Sequence, residues 1–421
     1  MIDLKLLREN PQKFKKSCQD KQVEFDIDKF LKLDEKRRTL LQKIEKMKAK
    51  QNKTSKEIAN LQKSEQSKKI KEMRVLVDKI KNFETNLEKI SEEWKSDFLQ
   101  IPNPPLPEVK AGKSEEDNEI LKHYSEKTKF DFPVKDYLEL NKKLNLIDIE
   151  RASKVSGTRF SYLKNEAVLL EFALIQFAYN LLIKEGFIPV LPPVLIREKP
   201  MEAMGYLARG RDEVYYLPKD ELYLIGTAEQ SIGPMYGDEI LSEKELPKRY
   251  LGFSTCFRRE AGASGKDTKG ILRVHQFDKI EMFSFCFPEK SKEEHLFFLS
   301  IEEKLMQALK LPYQVLNICS ADLGDPAAAK YDIETWMPGQ KQYRETHSTS
   351  NCTDFQARRL NIRFKAQDNK LKFVHTVNGT AFAVGRIIIA ILENYQTKEG
   401  NIIIPEALKP YLNGLEEIKT K

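Results

Sequence analysis

Between Leu33 and Trp94 the chain contains neither proline nor glycine, and its apolar residues recur at alternating intervals of three and four. Leu33, Leu40, Ile44, Met47, Ile58 and Leu61 form one series, with Arg37, Gln51 and Thr54 in its polar slots. Met73, Leu76, Ile80, Phe83, Leu87, Ile90 and Trp94 form a second, without a gap. That spacing puts one apolar seam on each of two α-helices. The polar stretch Ser64–Lys69 separates the two series and predicts the turn of an antiparallel hairpin. At 1.5 Å per residue each helix spans roughly 40 Å, so most of the hairpin must project beyond a compact domain.

The hairpin is also where the charge lies. Lys36 to Lys71 holds thirteen Lys or Arg against three acids, Glu45, Glu57 and Glu65, whereas the whole chain carries only +7. A surface charged merely for solubility mixes both signs, so a polyanionic partner is expected for residues 36–71. Pro102, Pro104, Pro105 and Pro107 then end the helical pattern, and a charged stretch follows to Glu119. At 421 residues two domains are the prior. The expected division is a helical domain over 1–103, a linker over 104–129 and a second domain over 130–421.

The balance of 40% hydrophobic and 32% charged residues is that of a globular chain and excludes a disordered one. The apolar run from Ala167 to Ile183 is interrupted by Glu171 and Gln176, which reads as a buried helix and not a membrane span. The N-terminal MIDLKLLRENPQK has no apolar core of a signal peptide, so a cytoplasmic setting without a membrane partner is expected. Cys18, Cys256, Cys286, Cys319 and Cys352 are widely spaced with no C-x-x-C pair, which speaks against a zinc ribbon or a disulfide framework.

The chemistry concentrates between Phe257 and Glu281, FRREAGASGKDTKGILRVHQFDKIE. This pattern reads as strand, loop and returning strand, the loop carrying Gly262, Gly265 and Gly270. Arg258 offers a guanidinium for a phosphate and Glu260 a carboxylate for a base or an amine. Arg273 supplies a second guanidinium on the return, and Phe277 an aromatic face on which a purine can stack. A nucleotide is the natural guest. His275, on the returning strand, reads as structural.

The order FRxE, Gly-rich loop, RxxxF resembles motif 2 of the class II aminoacyl-tRNA synthetases, and its fuller wording is similar to the seryl-tRNA synthetase family. Other blocks carry the same resemblance over essentially the whole chain. YLIGTAE ends at Glu229, YRETHSTSNCTDFQARRLNIRF begins at Tyr343, and VHTVNGTAFAVGRIIIAILENYQ begins at Val374. A long helix, a strand and Pro193 resemble motif 1, and Phe130–Leu163, with Gly157 at a turn, resembles the family's entry into its catalytic domain. The fold implied is α+β: an antiparallel-sheet class II catalytic domain behind an N-terminal helical coiled-coil hairpin.

The resemblance implies attachment of serine to tRNA(Ser) with ATP and Mg²⁺ through a seryl-adenylate, and serylation of selenocysteine tRNA where one exists. ATP would meet Arg258, Arg259, Glu260, Arg273, Phe277, Glu345, Thr346, His347, Ser348 and Arg386, with Glu345 as the Mg²⁺ carboxylate. Thr227, Ala228, Glu229, Arg258, Glu281, Asn378 and Thr380 would form the L-serine pocket. Arg258, Glu260 and Arg386 would act in catalysis. The basic hairpin would grip the tRNA, and a homodimer would form near Pro193. The chain departs from the family's usual wording at loop 204–217, at Arg259 inside FRxE, and at Thr346, His347 and Thr380. A ligase that charges a carrier protein should lack the basic hairpin, and a catalytically dead relative should have lost charged site residues; neither loss is seen.

Overall fold

The computed structural model describes residues 1–58, 62–261 and 269–419. Leu61 of the first apolar series, with Gly262 and Gly265 of the central loop, lies outside the described residues. The chain forms two compact units. One comprises Asp3–Gln19 and Val23–Pro102, and the other Met1–Ile2, Asp20–Gln22 and Asn103–Lys421.

In the first unit, α1 (Ile27–Ile58) and α2 (Lys63–Gln100) lie against each other. Pairing is antiparallel: Asp34 meets Trp94, Lys43 lies over the ring of Phe83, and Lys69 pairs with Glu57. Ile44 and Ile80 of the apolar series are fully buried, and the other described members are at least partly covered. The predicted turn at Ser64–Lys69 is corrected, because α2 already begins at Lys63. Without proline or glycine those polar residues have no reason to leave the helix, and Glu65 favours its N-terminal turn.

The base of the hairpin is aromatic and carries one buried charge. Phe30 stacks on Phe98 at 5.5 Å, and Trp94 packs on Phe98 at 4.8 Å; each such pair adds about 0.5–1.5 kcal/mol to its area burial. Asp34 is fully buried beside them. Burial opposes its ionisation, but two 2.8 Å hydrogen bonds from Arg8, one from Trp94 and the Arg38 charge outweigh it, so its carboxyl sits below the usual range.

The second unit is built on an eight-stranded sheet. Its strands are β1 (Glu119–Tyr124), β2 (Ile188–Val190), β3 (Lys248–Phe257), β4 (Gln276–Cys286), β5 (Tyr313–Asn317), β6 (Ala329–Met337), β7 (Gln342–Thr353) and β8 (His375–Ala383). Their order is β1-β5-β6-β7-β8-β4-β3-β2, and every pairing is antiparallel except β2 with β3. Helices α3 (Glu166–Lys184), α4 (Ser291–Ala308) and α6 (Val384–Asn394) cover one face of the sheet. A short α5 (Phe355–Leu360) follows β7 directly. The Ala167–Ile183 run is α3, and it buries Ala167, Leu170, Ala173, Leu174, Phe177, Ala178 and Leu182 in the main core.

Two expectations change here. The stretch 104–129 is not a plain linker, because it contributes β1 to the sheet edge, paired in register with β5. The strand expected between the long helix and Pro193 is cut short, and the chain beyond it pairs elsewhere. Pro192 and Pro193 offer no N–H to a ladder, so β2 stops at Val190, and Leu195–Arg197 joins a separate small sheet with Leu222–Leu224.

Candidate active site

The strand-loop-strand reading of Phe257–Glu281 corresponds to β3 and β4, which pair from Phe257 with Gln276 to Lys248 with Phe285. Arg258 and Glu260 lie just past the end of β3, not within it. The Arg258 N–H still bonds the His275 carbonyl at 3.0 Å, but Glu260 takes a left-handed φ of 49°, which ends the strand. His275 closes this end, with Nδ1 3.0 Å from the Arg258 carbonyl oxygen.

Above this sheet end opens a cleft of about 790 Å³, its mouth included. It is lined by Arg258, Glu260, Arg273, Phe277, Lys279, Glu345, Thr346, Thr380 and Arg386, with Ile271, Leu272, Val274, Ala383 and Gly385 as its apolar walls. Four cations therefore face one apolar-walled space. The Arg258 guanidinium lies 5.3 Å from the centroid of Phe277, while its Nε donates to the Gly226 carbonyl. Arg258 and Glu260 make no cross-strand pair; Arg273 instead reaches Glu260 at 3.3 Å. Arg386 donates to the Glu345 backbone carbonyl at 2.7 Å and meets its carboxylate at 3.3 Å. Burial opposes ionisation of Glu345, but the charges of Arg386, Lys330 and Arg258 prevail and hold its carboxyl below the ordinary range.

Below the cleft lies a second, enclosed set of polar groups. Glu281 on β4 stands opposite Thr380 on β8 and opposite Gly252 on β3. Gly252 is needed there, since an added Cβ would come within 2.6 Å of Ile232 and 3.3 Å of Ala228; its absence lets the turn holding Ala228 and Glu229 seat on the sheet. Glu229 is buried, with Tyr206 Oη donating to one oxygen at 3.0 Å and Gln356 Nε2 to the other at 2.7 Å. Burial first, then the Glu281 charge, raises its carboxyl to about 7, although Gln356, Lys279 and Tyr206 pull the other way. Lys279 pairs with Glu281 and joins the two spaces. Thr227 and Asn378 are buried close by; Thr227 Oγ1 accepts from the Glu229 N–H at 3.4 Å, and Asn378 Nδ2 donates to Cys352 Sγ at 3.6 Å.

Some expected residues do not line the cleft. Arg259 turns to the ring of Tyr215, 5.9 Å away, and its N–H bonds the Glu213 carbonyl at 2.9 Å. Ser348 hydrogen-bonds the buried Asp332 carboxyl. A bulge in β7 opposite Ile333 and Glu334 inserts Thr346, which breaks the alternation and turns both Thr346 and His347 inward. The Thr346 hydroxyl bonds that of Thr335 at 2.7 Å, so only the remainder of the residue borders the cleft. His347 packs against Phe382 in the core, and burial lowers its ring to about 3. It is a core residue and does not line the cleft. Sequence reasoning missed Lys279, Tyr206 and Gln356. Gln356 stands inside the DFQARR block and could have been read as a polar residue on an otherwise apolar helix face.

The comparisons agree with this geometry. Residues 215–395 match the family model described as the tRNA synthetase class II core domain (G, H, P, S and T), and residues 1–105 match the seryl-tRNA synthetase N-terminal domain. The chain is 46% identical to the serine–tRNA ligase of Dictyoglomus turgidum, covering 100% of both chains. The chain belongs to the seryl-tRNA synthetase family. Among solved structures, the seryl-tRNA synthetase of Pyrococcus horikoshii complexed with ATP superposes with a TM-score of 0.93 at 41% identity, covering 100% of each chain. The cytoplasmic serine–tRNA ligase of Naegleria fowleri in complex with AMP gives 0.87 at 34% identity, covering 100% of this chain and 99% of the other. The expected family, with its α+β class II core and helical N-terminal hairpin, is thereby borne out.

Proposed function

We propose that this chain activates serine with ATP and transfers it to tRNA(Ser), acting as a serine–tRNA ligase. The observation that carries the reading is a cleft with four cations and an aromatic face, linked through Lys279 and Thr380 to the buried carboxylates of Glu281 and Glu229. Triphosphate fits the first and a small ammonium-bearing hydroxy acid the second.

In this reading Phe277 stacks on adenine, Glu260 meets its amino edge, Arg258 neutralises the α-phosphate, and Arg273 and Arg386 take the terminal phosphates. Glu229 pairs with the ammonium of serine, Glu281 and Thr380 with its hydroxyl, and Thr227 and Asn378 complete the wall. The serine carboxylate attacks the α-phosphorus in line as pyrophosphate leaves. The 3′-terminal hydroxyl of the tRNA then attacks the acyl carbon, and AMP departs. Catalysis rests on positioning and charge neutralisation, with no general base in the first step. Among the described residues no group of three or more His, Cys, Asp or Glu could hold a metal by itself. One carboxylate, Glu345, beside a triphosphate is nevertheless the usual setting for Mg²⁺, which supplies further charge neutralisation when bound.

Exposed lysines at 36, 46, 50, 53, 56, 68 and 71 are proposed to hold the tRNA backbone, with the helical unit serving tRNA and the second unit catalysis. Selenocysteine tRNA, where present, is a second acceptor in the same reading, and the cytoplasm is the proposed setting. A homodimer is proposed through the α3 and β2 face. Phe172 and Leu191 are 65% and 80% exposed there, beside a groove lined by Ile175, Tyr179, Pro189, Val190 and Phe253. Phe172→Asp should shift the sedimentation coefficient to that of a monomer, and an unchanged value would remove this interface. The decisive test of function is exchange of pyrophosphate into ATP across the twenty amino acids. Serine alone should drive it, because alanine lacks the hydroxyl that Glu281 and Thr380 are proposed to bind. Equal exchange with alanine or threonine would overturn the assignment.

A further inference from the structure

Lys21 is a lysine only 6% exposed, and an ammonium buried that deeply has to be met by hydrogen-bond acceptors. Its ammonium donates to three backbone carbonyls of one loop: Ala327 at 2.6 Å, Gly324 at 2.9 Å and Asp325 at 3.4 Å. Asn103 holds the same loop from a second point, its N–H on the Asp325 carbonyl at 3.0 Å and its side-chain amide on the Pro326 carbonyl at 2.8 Å.

The loop 324–327 in turn fixes loop 204–217. The Asp325 carboxylate pairs with Arg209, and Pro326 presses on Gly205, where an added Cβ would lie 2.9 Å from the proline ring. Gly205 has a φ of 99°, so only glycine permits both the turn and the contact. The next residue is Tyr206, whose hydroxyl donates to Glu229. Three links therefore run from Lys21 to the carboxylate.

We propose that Lys21 is a positioning residue for the amino-acid pocket, setting the Tyr206–Glu229 hydrogen bond through loops 324–327 and 205–209. This rests on the reading that Glu229 meets the ammonium of serine. A lysine that only anchored its own segment would affect stability alone. One that positions Glu229 affects the apparent affinity for serine and spares that for ATP, because none of the links touches the nucleotide cleft.

The test is serine-dependent pyrophosphate exchange with the full-length protein carrying Lys21→Met, which keeps the stem and removes the donors. The serine KM should rise about tenfold, as expected for a small misplacement of a binding group, with the ATP KM unchanged. Asp325→Ala cuts the tie to Arg209 from the other side and should give the same signature, so it decides the matter if Lys21→Met fails to fold. The double variant should be no worse than the more impaired single one, since both act on one path. A lower melting temperature with an unchanged serine KM in both variants overturns the proposal. Glu229→Gln, measured in parallel, separates the two layers. If it is crippled for serine while both loop variants are normal, the relay fails alone; if it too is normal, the pocket assignment fails and takes the relay with it.

Discussion

Glu229→Gln isolates one charge in a site whose shape it preserves. The amide keeps the volume of the carboxylate and an oxygen for the Tyr206 hydroxyl, but it offers a bound ammonium no counter-charge. Removing one partner of a buried, hydrogen-bonded charge pair costs about 2–5 kcal/mol. Since Glu229 already ionises reluctantly, with its carboxyl raised to about 7, a figure near the lower middle of that range, about 3 kcal/mol, is the reasonable one. That corresponds to a serine KM higher by on the order of a hundredfold. Pyrophosphate exchange at pH 8 measures it, with the ATP KM as internal control.

The pH dependence has a definite sign. A carboxyl raised to about 7 is protonated below that pH and cannot pair with an ammonium, so kcat/KM for serine should rise as pH passes upward through about 7 in the parent protein. The variant should lack that step. The same shift favours the protonated folded state, so the stability contribution of Glu229 is present at low pH and lost as pH rises through about 7. Glu229→Gln should therefore melt no earlier than the parent at pH 8, which keeps a loss of serine affinity from being confused with unfolding. A serine KM within about threefold of the parent, a difference worth well under 1 kcal/mol, would refute the reasoning.

Arg386→Ala should abolish adenylate formation by at least about a hundredfold in exchange rate while the circular dichroism spectrum stays unchanged, because it removes a cation from the triphosphate and the 3.3 Å partner of Glu345. Deleting 33–94 should leave serine activation intact and cripple tRNA charging. Single Lys-to-Ala changes at 46, 50 or 53 should each flatten the logarithmic salt dependence of tRNA binding by about one unit, and equal affinities for the intact and armless proteins at two salt concentrations would end the claim. Glu302 on α4 is fully buried with neither carboxyl oxygen hydrogen-bonded among the described residues, and burial, then the charges of Asp332 and Glu281, raise it well above the ordinary range. Burial disfavours ionisation in the folded chain while the unfolded chain ionises freely, so the stability gain of Glu302→Gln, read as a rise in melting temperature, should grow as pH rises above the ordinary carboxyl range, by about 1.4 kcal/mol per pH unit at most.

What could be read from the sequence was whatever depends on neighbours along the chain. The apolar seams of α1 and α2 are local patterns, and Ile44 and Ile80 are buried as their spacing requires. Arg258, Glu260, Arg273 and Phe277 share one cleft because a short strand-loop-strand unit carries all four. The failures share a different cause. Glu119–Tyr124 looked like part of a linker because its six residues pair only with Tyr313–Asn317, far along the chain. His347 stands two residues from Glu345 and by simple alternation would share its face; a single inserted residue in β7, which no composition reveals, puts it in the core. Tyr206 and Gln356 meet only at Glu229, one from a loop and one from a helix, and neither has a polar partner within its own segment that would have flagged it. Charge explains why such residues escape notice and still matter. A cation facing solvent in a run of cations announces a partner, whereas a buried carboxylate needs only two neutral donors to be held in place. The groups that hold Glu229, the carboxylate proposed to meet the serine ammonium, are thus chemically plainer than the arginines around the phosphates, and it is the three-dimensional arrangement that brings them together.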